Sequence, residues 1–384
     1  MISKITNGII VLENELLYNH SVYIENGKIT AVSKEDMPCD EIIDAEGNFI
    51  SPGFIDLHIH GGMGSDFAEG DAEGVINAAN FHLSHGTTTI FPTTLSADLK
   101  SIMEALGSVQ KAINSGKILS NVGGVHLEGP YFSMESKGAQ NPEFITPPKK
   151  EEYTKILEKY GKIIKRWSFA PELEGTDEFI DTLNEYGVIP SIGHTDAVYD
   201  DVMAAYEKGC RLITHFYSCT STITREKGFR KLGVIESGYL IDDMDIELIA
   251  DGCHVPRDLF RLAVKIKGCD HICLITDSMS LSGSDKKEGF LGGLPCKIQS
   301  GVAYLMDESA FAGSIATADR LVRFCYKDVL LPLWEAVKMI TRNPARCMGL
   351  ESKGLIREGF DADIVIFDDN IEIKKVIVGG KTVK

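Results

Sequence analysis

The sequence lacks any hydrophobic run long enough to cross a membrane. Its unbroken apolar stretches are only a few residues long, whereas a membrane-spanning helix needs about 20. The first residues, MISKITNGIIVLENELLYN, carry a lone lysine and are interrupted by Asn, Gly and Glu before a signal-peptide core develops. We therefore expect a cytoplasmic protein with no membrane partner.

Paired cysteines are also missing. The nine cysteines are an odd number, and no two of them form a CxxC pair. Cys269 and Cys273 in CDHIC are the closest, and the second of them lies inside an apolar run. This pattern disfavours a disulfide framework and a cysteine-type structural zinc site. Reduced thiols in the cytoplasm are the better interpretation.

Positive charge is scarce relative to negative charge. Lys and Arg total 39, Asp and Glu total 56, and the formal net charge is −17 at pH 7. This balance disfavours nucleic acid as a partner. A small anionic substrate would need a local cationic pocket, because the overall field repels it. The sequence has neither a GxxxxGK[ST] motif nor a strand-linked GxGxxG motif, so its glycine pairs do not predict a phosphate cradle.

Both ends of the chain have the alternating pattern of β-strands. Near the N-terminus, SVYIENGKITAVS predicts two strands joined at Asn26-Gly27, which is a strong hairpin signal. Near the C-terminus, DADIVIFD and KKVIVGGKTV predict further strands around turns. We expect residues 1–52 and 355–384 to form one small β-sandwich domain that is discontinuous in sequence.

The middle of the chain alternates between short apolar runs and segments with helical periodicity. DDVMAAYEKG and RDLFRLAVKIKG each end in a glycine C-cap signal, and AGSIATADRLVRFCYKDVL and PLWEAVKMITRNPARCMG are later helix candidates. Such alternation predicts a parallel sheet, and eight units suit a (β/α)8 TIM barrel, whose usual length is about 250 residues. We expect this barrel at residues 53–354. The eight runs are GFIDLHIH, GTTTIFPTT, NVGGVHLEG, RWSFAPE, GVIPSIGH, RLITH, IELIADG and ICLITD.

Side chains that can bind a metal recur at the ends of these runs. A (β/α)8 barrel places its catalytic groups at the carboxyl ends of the strands. Imidazole and carboxylate ligands without thiolate suit Zn²⁺, Fe²⁺, Co²⁺ or Mn²⁺, any of which activates a coordinated water at neutral pH. Asp277 beside that water would be a proton shuttle. The recurring residues are His58, His60, Glu128, His194, His215, His254 and Asp277.

The motifs resemble those of a known family over nearly the whole chain, from residue 8 to residue 380. The resemblance is to the amidohydrolase superfamily and, within it, to the N-acetylglucosamine-6-phosphate deacetylases. HLEGP followed by GAQNP is its most specific part, whereas GFIDLHIH alone indicates only the superfamily. The motifs that carry it are SPGFIDLHIHGG, HGTTTIFPTT, HLEGPY, KGAQNP, GHTDAVYDD, THFY, ADGCHV, LITDS and KGLIREGFDADIVIFD.

The resemblance implies a ligand set for a divalent metal. Glu128, His194 and His215 would hold the metal that these deacetylases use. His58 and His60 match the HxH pair of the superfamily, which some of these deacetylases lack. The presence of the pair implies ligands for a second metal, bridged by Glu128, beside the first. One or two metals per chain are therefore expected, with Zn²⁺ as first choice and Fe²⁺, Co²⁺ or Mn²⁺ as alternatives.

The resemblance also implies roles on the acetamide side of the substrate. Asp277 would act as general base and then as general acid. His254 would hydrogen-bond the substrate near the acetamide. Phe311, Ala312 and Gly313 would line the pocket around the acetyl group.

On the sugar-phosphate side this chain departs from the family. Ala139 and Gln140 would meet the sugar hydroxyls, and Arg225 in REKG would bind the phosphate, which supplies the local cation that an anionic substrate needs. The family usually carries Asn-Ala after its metal-binding histidine, where this chain has Ser218 and Cys219. The change leaves the metal chemistry untouched and puts the leaving-group side of the substrate in doubt.

The resemblance implies hydrolysis of N-acetylglucosamine 6-phosphate to glucosamine 6-phosphate and acetate. It also implies a homodimer. One alternative is a deacetylase or amidase for a different N-acyl sugar or amino compound, which the Ser218-Cys219 pair favours and Arg225 disfavours. Another is an inactive barrel that binds a sugar phosphate. Such a protein should have lost a ligand or the base, and this sequence keeps them all.

Overall fold

A computed structural model describes residues 1–384, and its N-terminal part is a set of short strands. The strands β4 and β5 pair antiparallel, with Glu25 opposite Lys28. Asn26 and Gly27 between them have φ of 51° and 78°, which is the left-handed pair that a two-residue hairpin turn requires, so the predicted hairpin is confirmed. The strands are β1 (Ile2–Thr6), β2 (Ile9–Val11), β3 (Leu16–Leu17), β4 (Ser21–Glu25), β5 (Lys28–Ser33), β6 (Glu41–Asp44) and β7 (Phe49–Pro52).

The central part contains two parallel sheets. The first has the order β12-β11-β8, and the second has the order β13-β14-β15-β16-β19-β20. Parallel bridges between Thr93 and His126 and between Ile59 and Ser278 connect the two sheets at both sides. The strands are β8 (Phe54–Ile59), β9 (Gly61–Gly62), β10 (Ser65–Asp66), β11 (Thr87–Pro92), β12 (Asn121–Val122), β13 (Val125–Glu128), β14 (Ile164–Phe169), β15 (Ile189–Ile192), β16 (Leu212–Ile213), β17 (Thr224–Glu226), β18 (Phe229–Lys231), β19 (Asp245–Leu248) and β20 (Ile272–Leu274).

Helices separate most of the parallel strands, as the alternating pattern predicts. The two segments with glycine C-cap signals form the helices Tyr199–Glu207 (α5) and Arg257–Lys267 (α7). None of the helices combines the length and the apolar character that crossing a bilayer requires. The helices are α1 (Ala72–Ser84), α2 (Leu99–Asn114), α3 (Lys150–Tyr160), α4 (Thr176–Glu185), α5 (Tyr199–Glu207), α6 (Val234–Leu240), α7 (Arg257–Lys267), α8 (Ala318–Arg323), α9 (Leu333–Lys338) and α10 (Arg342–Cys347), with a 3-10 turn at Cys269–His271 and a π-helical turn at Phe324–Asp328.

The two late helix candidates are shorter than their periodicity indicates. The first begins only at α8, because the preceding Ser314 is bound to the end of a strand: its backbone N–H donates to the carbonyl of Asp277 at 2.7 Å. The second is split into α9 and α10 at Thr341, whose φ and ψ of −129° and −77° are not helical. The first interruption comes from a tertiary contact that helical periodicity does not record.

An antiparallel meander between β20 and α8 was not foreseen. Its strands are β21 (Glu288–Leu291), β22 (Leu294–Gln299) and β23 (Val302–Leu305), and its sheet order is β21-β22-β23. Three C-terminal strands follow the last helix, namely β24 (Ile364–Phe367), β25 (Ile373–Val378) and β26 (Lys381–Thr382). They join the N-terminal strands in a six-stranded sheet of order β26-β25-β24-β7-β2-β3, opposite a sheet of order β5-β4-β1-β6.

Separate apolar cores hold these parts together. Isoleucines from both terminal sheets, such as Ile5 and Ile364, form one buried cluster. Inward-facing residues of the parallel strands, such as Leu57 and Ile275, form another, and α10 adds Ala345 to it. The residues that carry the chemistry at the ends of β8 and β20 therefore stand on a packed base.

The largest cluster contains an aromatic group on which α4 packs. The ring of Phe179 lies 5.0–5.5 Å, centroid to centroid, from the rings of Tyr131, Tyr153, Trp167 and Phe169. Removing a buried phenyl ring removes transfer energy and leaves a cavity, at a cost of about 3–5 kcal/mol. We expect Phe179→Ala to lower the free energy of unfolding by that amount in denaturant titration.

The exposed residue Phe229 is the matched control for this substitution. Its side chain is 79% exposed on β18, so Phe229→Ala should change the free energy of unfolding by no more than about 0.5 kcal/mol. Equal effects of the two substitutions would contradict the assignment of Phe179 to the core.

Candidate metal centre and active site

The residues that carry the chemistry lie together at the carboxyl edge of the parallel sheets. Each of them belongs to a strand or follows one by at most three residues, and carboxyl ends of parallel strands meet at one edge. All are nearly fully buried, with at most 8% of the residue exposed. They are His58 and His60 at β8, Glu128 at β13, His194 after β15, His215 after β16 and Asp277 after β20.

Three of these residues have a backbone conformation that side chains rarely adopt. The φ angles of His194, His215 and Asp277 are 48°, 27° and 48°, and such left-handed residues carry about 1–3 kcal/mol of strain each. Backbone hydrogen bonds hold them there: the Asp277 N–H donates to the carbonyl of His58 at 2.9 Å, and the Ser133 N–H donates to that of His194 at 2.9 Å. The turn at the strand end aims each side chain toward the same point.

Glu128, His194 and His215 form the first group of possible ligands. The Oε1 atom of Glu128 lies 3.2 Å from His194 Nε2 and 3.0 Å from His215 Nε2, and these two nitrogens lie 3.1 Å apart. One carboxylate oxygen and two imidazole nitrogens therefore point at one small volume.

Backbone carbonyls decide which imidazole nitrogens carry protons. His194 Nδ1 donates to the Ser136 carbonyl at 3.0 Å, and His215 Nδ1 donates to the Ser218 carbonyl at 3.1 Å. In the neutral tautomer each Nε2 then presents a lone pair toward Glu128 and toward the other ring. Converging lone pairs beside a carboxylate repel unless a cation lies between them, so this donor set fits a divalent metal.

His58, His60 and Asp277 form a second group of possible ligands. Asp277 Oδ1 lies 3.1 Å from His60 Nε2 and 3.5 Å from His58 Nε2, and the two imidazole nitrogens are 3.2 Å apart. Glu128 lies between the two groups, because its Oε1 is 3.3 Å from His58 Nε2 and its Oε2 is 3.4 Å from His60 Nε2. A carboxylate in this place is able to bridge two cations.

In the absence of a metal, protonated imidazoles keep both carboxylates ionised, and a bound cation would take over that role. Burial raises the pKa of Glu128, but His58, His194 and His215 outweigh burial and hold the pKa well below its usual range. The same balance between burial and the imidazoles of His58 and His60 lowers the pKa of Asp277. Both groups are therefore available as an anionic ligand and as a base.

A buried ion pair beneath the site was missed by the sequence analysis. Glu247 Oε2 lies 3.5 Å from His58 Nδ1, and its carboxylate pairs with Arg166. Burial raises the pKa of Glu247, but the guanidinium outweighs it and lowers the pKa to about 2. Arg166 also donates to Ser191 at 2.9 Å and to Thr214 at 2.8 Å. Polar residues inside the apolar runs IKRWSF and IELIADG were the available signal.

A cavity of about 270 Å³ opens above the ligand groups. Its lining includes every predicted site residue except His58, Ala312 and Arg225. His58 and Ala312 are fully buried, and Arg225 lies on β17 in an exposed hairpin. The cavity is also lined by four residues that the sequence analysis did not single out, namely Leu95, Tyr217, Leu291 and Ala310.

The polar lining of the cavity is held by buried partners. His254 Nδ1 donates to Asp251 at 2.9 Å, and the His254 ring lies 4.6 Å from that of Phe311, centroid to centroid. Gln140 Nε2 donates to Glu128 Oε2 at 2.6 Å. His126 is fully buried, and its Nε2 lies 2.7 Å from Ser168 Oγ.

Several known proteins resemble this chain in sequence and in fold. A model of the amidohydrolase family matches residues 49–383. The N-acetylglucosamine-6-phosphate deacetylase of Lysinibacillus sphaericus is 33% identical over 94% of this chain and 92% of its own length. The crystal structure of the N-acetylglucosamine-6-phosphate deacetylase of Pasteurella multocida has a TM-score of 0.93 at 28% identity and covers 100% of this chain and 99% of its own.

A second solved structure also resembles the chain over its full length. It is a mutant N-acetyl-D-glucosamine-6-phosphate deacetylase from Mycobacterium smegmatis in complex with N-acetyl-D-glucosamine-6-phosphate. Its TM-score is 0.90 at 28% identity, and the match covers 100% of this chain and 99% of the other.

The convergence of ligand atoms predicts how much metal the protein binds. We expect elemental analysis of the purified protein to find between one and two equivalents of divalent transition metal. His215→Ala should remove about one equivalent, because it takes one of the two imidazoles from the first ligand group. His85→Ala is the matched control, since His85 pairs with Asp319 away from the ligand groups. Full metal content in His215→Ala would place the metal elsewhere.

Proposed function

This chain belongs to the amidohydrolase family, and on that premise we propose that it hydrolyses N-acetylglucosamine 6-phosphate to glucosamine 6-phosphate and acetate. The observation that carries the proposal is the pair of adjacent ligand groups beside a cavity lined by Asp277, with Glu128 of one group within 3.4 Å of both imidazoles of the other. The names of the similar enzymes from Lysinibacillus sphaericus and Pasteurella multocida supply the substrate. An enzyme with this activity would act in the breakdown or recycling of amino sugars.

Glu128, His194 and His215 would hold one divalent metal, and His58 and His60 would hold a second that Glu128 bridges. Zn²⁺ is the first choice for this nitrogen and oxygen donor set, with Fe²⁺, Co²⁺ or Mn²⁺ as alternatives. When bound, such an ion supplies Lewis-acid chemistry that activates water and polarises an amide carbonyl.

Asp277 is the group that moves the proton. Its lowered pKa makes it a carboxylate at neutral pH, so it takes a proton from the water that attacks the acetamide carbon. It then delivers that proton to the amine nitrogen as the carbon–nitrogen bond breaks. His254, held by Asp251, hydrogen-bonds the substrate near the acetamide. Phe311 and Gly313 enclose the acetyl group, whereas Ala312 between them lies outside the cavity lining.

The sugar-phosphate side has fewer observations behind it. Ser218, Cys219 and Ala139 line the cavity and are in place to contact the sugar. Arg225 would bind the phosphate from the hairpin of β17 and β18. This hairpin also exposes Phe229 and lies outside the cavity lining. A homodimer remains a prediction of the family resemblance.

We infer that the parallel strands close into a (β/α)8 barrel at residues 53–354. The two bridges between the sheets support closure of the eight strands β8, β11, β13, β14, β15, β16, β19 and β20. The shared isoleucine core of the two terminal sheets supports a β-sandwich domain formed by residues 1–52 and 355–384. The nine dispersed cysteines favour a cytoplasmic location.

A different N-acyl sugar or amino compound is the second candidate substrate. The position of Arg225 outside the cavity lining favours it, as does the Ser218-Cys219 pair. An inactive sugar-phosphate-binding barrel is disfavoured, because both ligand groups and Asp277 are present together.

Removing the proposed base tests the mechanism. Asp277→Asn keeps the size of the side chain and should lower kcat by about 10²–10⁴, which is the usual contribution of general acid–base catalysis. Substrate binding should persist, because the sugar contacts are unchanged. The exposed Asp285 provides a control, and Asp285→Asn should leave kcat unchanged. A kcat near that of the wild type in Asp277→Asn would mean that another group moves the proton.

A substrate panel tests the phosphate assignment. Initial rates on N-acetylglucosamine with and without the 6-phosphate should give a much lower KM for the phosphorylated sugar. Arg225→Ala should raise that KM about 10- to 150-fold, because a charge-assisted contact contributes roughly 1.5–3 kcal/mol. Arg230→Ala on the same hairpin is the matched control. Equal kcat/KM for the two sugars in the wild type would favour the second candidate substrate.

A further inference from the structure

Both ends of the Gln140 side chain are occupied by protein partners. Its Nε2 donates to Glu128 Oε2 at 2.6 Å, and its Oε1 accepts from the backbone N–H of Ser96 at 2.8 Å. The residue is only 3% exposed. The family resemblance implies that Gln140 meets a sugar hydroxyl, but one N–H and one lone pair of its amide are committed to protein partners.

The partners also fix which way the amide faces. A backbone N–H can only donate, so the atom that faces Ser96 has to be the amide oxygen. The amide nitrogen therefore faces Glu128 and donates to its Oε2. A flipped amide would place two oxygens against each other at 2.6 Å, so the hydrogen-bond network settles the assignment.

The loop that carries Gln140 supports a second metal ligand as well. The Ser136 carbonyl accepts from His194 Nδ1 at 3.0 Å, and Asp196 fixes this part of the loop by accepting from Ser136 Oγ at 2.8 Å. Two of the three residues in the first ligand group therefore depend on the segment at residues 136–140.

This loop packs so closely that a side chain would not fit at its centre. Gly138 has a φ of 54°, and a Cβ atom there would lie 2.4 Å from Cys219 Sγ. Cys219 is one of the two residues at which this chain departs from its family. The loop position and the departure are therefore in direct contact.

We propose that Gln140 is a positioning residue, which orients the carboxylate of Glu128 for metal. Holding Oε2 leaves Oε1 directed at His194 and His215, and the other lone pair of Oε2 stays available toward His60. The inference rests on the proposed metal-dependent function and deepens it. Loss of such an outer partner typically weakens metal binding 10- to 100-fold.

The test compares Gln140→Met with the matched control Gln110→Met, since Gln110 is on the outer helix α2. The dissociation constant of Zn²⁺ is measured by chelator competition, and KM and kcat are measured at saturating Zn²⁺. We expect Gln140→Met to weaken Zn²⁺ binding 10- to 100-fold. An unchanged Zn²⁺ affinity with a raised KM would overturn the proposal and make Gln140 a sugar contact.

Gln140→Glu gives a second variant of nearly identical size. It keeps the acceptor for Ser96 but sets a carboxylate against Glu128, so we expect Zn²⁺ binding to be weaker than in the wild type. Unchanged Zn²⁺ affinity in a folded Gln140→Glu protein would overturn the proposal. If the wild type itself binds no Zn²⁺, the proposed function fails, whereas Zn²⁺ binding that ignores Gln140 overturns this inference alone.

Discussion

The arrangement of the site depends on one buried carboxylate that faces four imidazoles. Glu128 Oε1 lies within 3.3 Å of Nε2 atoms of His58, His194 and His215, and its Oε2 lies 3.4 Å from His60 Nε2. In water these groups would separate and be solvated. Held together with almost no solvent, they need a positive charge between them, so the fold creates a demand for cations at this point.

The rest of the molecule keeps these groups from relaxing apart. Strands set their depth, and left-handed turns at His194, His215 and Asp277 set their direction. The Arg166–Glu247 pair underlies His58. Hydrogen bonds to neighbouring segments hold these turns: the Asp277 N–H donates to the carbonyl of His58, the Ser133 N–H donates to that of His194, and the His215 N–H donates to the carboxylate of Glu247. Rigidity here is what allows Asp277 to serve as a base beside the ligands.

The site residues at strand ends can be predicted from the sequence, because each closes or follows a short apolar run that is recognisable by itself. The sequence analysis also found the Asn26-Gly27 hairpin from the turn residues alone. The ion pair of Arg166 and Glu247 was missed, because these two residues are 81 positions apart in the sequence. The sequence analysis also missed the meander at β21–β23, although Gly292-Gly293 and Ser300-Gly301 are two-residue hairpin turns with left-handed φ angles, and it missed the break at Thr341. Family resemblance supplied the sugar contacts, and the place of Arg225 on an exposed hairpin leaves its role as a prediction.

The most direct test of the central claim is a crystal structure of the Zn²⁺-loaded protein with anomalous diffraction at the zinc edge. The account predicts an anomalous peak 2.0–2.2 Å from Glu128 Oε1, His194 Nε2 and His215 Nε2. A second peak between His58 and His60 would mark the bridged site. A structure in which zinc binds only elsewhere, with the imidazoles of His194 and His215 hydrogen-bonded to Glu128 as protonated groups, would contradict it.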